Sequence, residues 1–244
     1  SRAVEPGPDE LPMPSMGGRP RGGRVELPRA PEAPAARPSG LSEELAALLS
    51  SPLPVSGLGL RLQAAPFSGS EKKQVVQVVT EVLGPSLVFV ERGGRFESRV
   101  ELASFTVDSR GRGENGQSTM IDLRLTPEEY ARAKTAGIRW MSQLDLAPGR
   151  YQLRVAGRTR GSGAAGLVTV GVDVPSFADA SISGVALTSP RSALAVTKGR
   201  TRLASVLGTP PTAARAFVAG DRVVAGVEVY LPASRAAGGV VTTT

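Results

Sequence analysis

Residues 138–174 read IRWMSQLDLAPGRYQLRVAGRTRGSGAAGLVTVGVDV, and their pattern sets the fold class. Ile138 to Leu146 is a strand-forming run. Ala147-Pro148-Gly149 follows as a turn, because proline presets the φ of one corner and glycine accepts a positive φ at the next. Tyr151, Leu153 and Val155 then alternate with Gln152 and Arg154, the period of a half-buried strand. The Gly-rich stretch at 161–163 breaks the run. Val168, Val170, Val172 and Val174 rebuild it with one apolar face. Tyr151, just after the turn, is placed as a corner residue whose hydroxyl bonds to nearby backbone. Strands this close, joined by turns and not by helices, belong to an antiparallel sheet.

The same pattern extends upstream. Leu58, Leu60 and Leu62 alternate with Gly59, Arg61 and Gln63, and strands are expected over Gln74 to Val82 and Ser86 to Val90. Gly93-Gly94 is a hairpin turn into a strand from Arg95 to Asp108. Its alternation slips between Leu102 and Phe105, so a bulge is expected there. Residues 109–116 form a polar turn before a strand from Met120 to Leu125. Two short helices interrupt. Ser42 caps the first, with Glu43 and Glu44 in its first turn and Leu41, Leu45, Leu48 and Leu49 on one face, until Pro52 and Pro54 stop it. Thr126-Pro127-Glu128-Glu129 starts the second with a capping box and proline at the first helical position, and Gly137 ends it.

The fold expected is mainly β: an Ig-like antiparallel β-sandwich over residues 41–178. A second, incomplete β module follows over 179–244, with strands at Ile182 to Leu187 and Val223 to Leu231. The first module is expected to fold alone. The second holds too few strands to cover its own apolar face, and Val240 to Thr244 would be an unpaired, uncharged edge. Residues 1–40 contain nine of the twenty prolines. With few large apolar residues they cannot offset their ordering entropy, and they are expected to be a disordered linker.

Composition narrows the function. Hydrophobic residues are 41% and aromatics only 4%, so the core is aliphatic. The chain has no Cys and no His. That excludes thiol nucleophiles, disulfides, Cys/His zinc sites and imidazole catalysis. The net charge is +7, but arginine is scattered singly. The densest group, Arg154, Arg158 and Arg160, ends a strand, and no aromatic platform interleaves with it, so nucleic acid is not the expected partner. No stretch approaches the ~20 apolar residues of a membrane span.

Several motifs touch on metal or phosphate chemistry. Asp179-Ala180-Ser181-Ile182-Ser183 fits D-x-S-x-S, one carboxylate and two hydroxyls that can hold a divalent cation at the end of a buried strand in a doubly wound α/β fold. Pro175-Ser176-Phe177 intervenes here and that fold is absent, so the segment is read as a turn. Asp108, Glu114 and Asp122 lack EF-hand spacing and are read as solvated loop acids. Gly93-Gly94, Gly111-Arg112-Gly113 and Gly161-Ser162-Gly163 lack the Lys-Ser/Thr of a phosphate loop and are hairpin turns. Trp140 is read as core, not as a sugar platform. No catalytic, cofactor-binding or metal residue is assigned.

Three phrases carry a resemblance. They are residues 51–58 (SPLPVSGL) with Ala64-Ala65-Pro66-Phe67, residues 144–156 (LDLAPGRYQLRVA), and Val174-Pro175-Ser176-Phe177 leading to residues 183–189 (SGVALTS). Together, over about 41–231, they resemble the region after the VWA domain in the VWFA-related proteins of Acidobacteria and neighbouring soil bacteria. The resemblance implies an extracytoplasmic, non-catalytic structural or protein-interaction segment that begins inside a longer polypeptide. Its partners would be an upstream VWA domain of that polypeptide and a protein still to be identified. A glycan- or surface-binding sandwich is the alternative, disfavoured by the few aromatics.

Overall fold

The computed structural model describes residues 41–70, 72–178, 180–199, 201, 204 and 207–231. The expected linker and the expected edge at Val240 to Thr244 lie outside them. The helices are α1 (Glu43–Ser50) and α2 (Pro127–Ala136). The strands are β1 (Val55–Ser56), β2 (Leu60–Phe67), β3 (Gln74–Val82), β4 (Val90–Arg92), β5 (Arg95–Asp108), β6 (Gly113–Leu125), β7 (Ile138–Leu146), β8 (Gly149–Arg160), β9 (Ala165–Val174), β10 (Ser181–Ile182), β11 (Ala186–Thr188), β12 (Val196–Lys198), β13 (Val224–Gly226) and β14 (Val229–Tyr230).

Two sheets face each other, as in an Ig-like β-sandwich. One runs β1-β9-β8-β5-β4, with β6 on the far side of β5. The other runs β12-β7-β3-β2. The chain crosses between sheets at Ala147-Pro148, and the Tyr151 hydroxyl donates to the Ala147 carbonyl at 3.0 Å, which locks that corner. Gly93 and Gly94, at φ 55° and 71°, make the two-residue hairpin between β4 and β5. The bulge expected in β5 is instead on β6, where Asn115, at φ 51°, and Gly116 stand opposite the single residue Phe105. Strand β5 itself pairs with β8 without a break, and its alternation slips because Phe105 is buried on the other face, with α1.

Between the sheets, Val100, Leu102, Ile121 and Leu123 pack against Val82, Ile138 and Trp140 at one end. Val76, Val78, Leu144 and Leu146 meet Leu153, Val155, Val172 and Val174 at the other. The eight-residue α1 is too short to persist alone. It survives by seating Leu45 and Leu49 on the outer face of the larger sheet, against Ala103, Phe105, Ala156 and Leu167. Each leucine so buried contributes roughly 1.5–3 kcal/mol. Helix α2 carries the expected capping box between Thr126 and Glu129, and Tyr130 stacks on Phe96 with centroids 4.0 Å apart.

Three local expectations change. The run from Ser86 to Val90 is strand only from Val90, because Pro85 holds Gly84–Ser86 in a 3-10 turn. The polar turn at 109–116 shrinks, since β6 already pairs with β5 from Gly113. The run from Ile182 to Leu187 splits into β10 and β11 around Gly184, whose N–H donates to the Pro66 carbonyl at 2.7 Å. A side chain at Gly184 would meet the Ala65 backbone at 2.8 Å.

The boundary expected at residue 178 is crossed by the fold. All described residues fall in one compact unit. Strand β12 pairs parallel with β7, from Val196↔Ile138 to Lys198↔Trp140, and so extends the smaller sheet. The rest of the segment covers that sheet's outer face, where Ala65, Phe67, Val79 and Met141 are buried. Beneath it lies an ion pair. Arg139, 1% exposed, donates from Nε to Glu81 at 3.0 Å and from Nη2 to the Ser192 carbonyl at 2.7 Å. Thr212 donates to the same Glu81 oxygen at 2.8 Å. A module with a core of its own would not need these ties. The physical reason is strand β3, whose Val75 to Val79 run places apolar side chains on both faces and so requires a second cover.

Candidate functional site

Of the acids singled out in the sequence, Asp108 and Glu114 lie near each other beside Tyr151 and Arg112, and Asp122 lies apart. Asp108 Oδ1 accepts from the Arg110 and Arg112 backbone N–H groups at 2.8 and 2.9 Å, and Oδ2 accepts from Arg112 Nε at 2.9 Å. The Arg112 backbone donor is the largest cause holding its carboxyl below the usual value. Asp122 pairs instead with Arg99, nine residues along β5 from Asp108 and about 30 Å away at ~3.3 Å per residue. Among the described residues, no three acids, His or Cys gather as metal ligands. Asp179 lies outside the described residues. Ser181 sits in β10 opposite Tyr230. The Ser183 hydroxyl is spent on backbone: it donates to the Gly184 carbonyl at 2.9 Å and accepts from Glu228 N–H at 2.8 Å. Trp140 is in the core. The Gly-rich stretches are turns.

The arginine group at the end of β8 divides into three environments. Arg154 is half-buried under α1, donates to the Ser51 carbonyl, and has its pKa lowered by burial. Arg158 pairs with Glu44 at 2.8 Å. Arg160 points outward. Around it the fold gathers arginines that are far apart in sequence: a groove of about 600 Å³ is lined by Arg92, Arg99, Arg124 and Arg160, with Glu97, Asp122 and Val90. Asp122 is taken by Arg99, and Glu97 by Arg124 at 3.5 Å. Among the described residues Arg92 makes no ion pair, and Arg160 feels Glu44 only at longer range. Single arginines on four different strands leave no local signal in the sequence. Only the strand register could have grouped them.

A second surface lies on the ribbon formed by β10 and β11 with β14 and β13. Its inner side is anchored: the Tyr230 hydroxyl accepts from Ser68 N–H at 2.9 Å and donates to Glu228 at 2.5 Å. Ile182 and Val229, directly opposite each other, are 62% and 48% exposed, and Val227 and Leu231, two residues either side of Val229, are 42% and 50% exposed. Contiguous exposed aliphatics of this kind mark contact surfaces more often than scattered single ones do.

No protein-family model matches the sequence, and neither does any curated protein. Among solved structures, a β-glucuronidase of Bacteroides uniformis is similar over 51% of this chain and 13% of its own, at 12% identity and a TM-score of 0.30. A glycosyl hydrolase family 2 member of Bacteroides cellulosilyticus is similar over 54% and 17%, at 14% identity and a TM-score of 0.31. The chain spans under a fifth of either structure. At such scores the likeness bears on neither activity nor substrate. No helix among the described residues is long and apolar enough to cross a membrane.

Proposed function

We propose that this β-sandwich is a non-catalytic structural or protein-interaction segment of an exported, VWA-containing bacterial polypeptide, working outside the cytoplasm. The observation that carries the reading is the apolar outer side of the ribbon around Ile182 and Val229. Its occupant is an adjoining folded domain of the same polypeptide, the VWA domain that the family resemblance implies. Aliphatic ribbon residues of one domain dock on another without any catalytic group, and the polar ties at Ser68 and Glu228 hold the ribbon rigid for that contact.

The test is to identify the VWA domain on the same gene, add it in trans and measure binding by calorimetry. Ile182→Lys with Val229→Lys should weaken it by at least about tenfold, equivalent to ~1.4 kcal/mol, while Arg150→Gln should leave it unchanged. A gene without a VWA domain, equal binding by the lysine variant, or turnover of aryl glycosides by the chain would each overturn the reading.

A further inference from the structure

The arginine groove on the larger sheet carries charge that the fold does not use. Strand register places Arg99 directly opposite Arg160, and Arg92 directly opposite Arg95. Like charges opposed across a ladder cost stability. Here two such pairs stand two rows apart, since Arg95 and Arg99 are separated on β5 by the Glu97 row. The carboxylates within the groove are already engaged by Arg99 and Arg124.

The register also sets a spacing. Strands β4 and β8 flank the same side of β5 end to end, opposite Arg95 to Glu97 and Arg99 to Asp108 respectively. Along that flank the outward residues are Arg92 opposite Arg95, Val90 opposite Glu97, and Arg160 opposite Arg99. Successive rows are about 6.8 Å apart, so the two unpaired guanidinium groups stand roughly 14 Å apart at their backbone positions. Val90, 54% exposed, lies between them. An extended peptide repeats its same-side residues at the same interval. Two acids four residues apart would reach Arg92 and Arg160, and an aliphatic residue midway would meet Val90. Guanidinium forks match carboxylates bidentately. A neutral sugar would need an aromatic platform, and none lines the groove.

We propose that this groove binds an extended acidic segment of a protein partner with the pattern Asp/Glu-x-aliphatic-x-Asp/Glu. The inference rests on the reading of the chain as an interaction module. It concerns a different surface from the ribbon, so either result stands if the other fails.

The experiment uses the full chain and a fluorescein-labelled peptide built on Glu-Thr-Val-Thr-Glu, read by anisotropy at low salt. The wild-type chain should bind it, and binding should weaken as salt is added. Arg92→Gln with Arg160→Gln should weaken binding by about tenfold, the loss of two exposed charge pairs. Val90→Ser should weaken it less, and Arg150→Gln, outside the groove, not at all. The double variant should melt no lower than wild type, because it removes a repulsion. Equal binding by the double variant would overturn the proposal, as would equal binding of a Glu-Val-Glu peptide with shortened spacing. Binding of a sulfated oligosaccharide or single-stranded oligonucleotide of equal charge about tenfold tighter than the peptide would overturn the peptide assignment.

Discussion

Arg139 is the residue on which the two halves of the chain meet. Its side chain and that of Glu81 are 1% and 8% exposed, and their partners include Ser192 and Thr212 from the covering segment. Removing one member of a buried ion pair leaves the other desolvated and uncompensated, at a cost of about 3–5 kcal/mol. Arg139→Ala should therefore lose that much stability in urea unfolding. Arg139→Met with Glu81→Leu should recover most of it, because a packed apolar pair needs no compensation. A loss below about 1 kcal/mol in the single variant would mean that solvent reaches the pair, as it does at exposed pairs of that worth. In the sequence Arg139 stands as the one charge in the apolar first half of its strand, Ile138 to Met141. Nothing local distinguishes it from an exposed edge residue, whereas Tyr151 announces its corner through the Pro-Gly turn just before it.

At the scale of elements, α2 shows how a local signal becomes a pH response. Glu129 accepts from Thr126 N–H at 2.8 Å and from the Thr126 hydroxyl at 3.0 Å. Those donors, the backbone one first, hold its folded pKa below the ordinary 4.5. A depressed carboxylate stabilises the fold fully above its unfolded value, and that contribution disappears as pH falls through the folded value. Wild type should thus melt higher than Glu129→Gln at neutral pH, and the gap should close as pH falls below 4.5. Glutamine keeps the cap geometry, so only the charge is tested. A gap that does not change with pH would assign the effect to packing. This helix and α1 were legible, since caps and prolines are local, whereas the broken alternation in β5 reflects Ala103 and Phe105 packing with α1 and not a bulge in that strand. The split at Gly184 was not legible, because its cause is the Pro66 carbonyl on another strand.

For the whole molecule the issue is whether the sandwich stands without the segment after Ala178. Deleting that segment uncovers Phe67, Val79 and Met141, now 1%, 3% and 4% exposed, and removes β12 from the sheet edge. At roughly 1.5–3 kcal/mol for each large side chain, the loss is about 5–9 kcal/mol, comparable to the ~5–15 kcal/mol that holds an ordinary domain. A chain ending at Ala178 should melt far lower, bind a hydrophobic dye and self-associate, as followed by circular dichroism and size-exclusion chromatography. An unchanged main transition would restore the independent module expected at 41–178.

Strand period, turn chemistry and helix caps act over a few residues, so the order and kind of elements, the sandwich class, the tyrosine corner and the aliphatic core could be read directly from the chain. Burial on the second face of β3, the ties of Glu81 to Arg139 and Thr212, and the gathering of Arg92, Arg99, Arg124 and Arg160 depend on contacts between residues tens of positions apart. Those contacts are set by register and layer packing. A one-residue slip of any one of those four strands would turn its arginine to the other face, and no local pattern in the sequence records it.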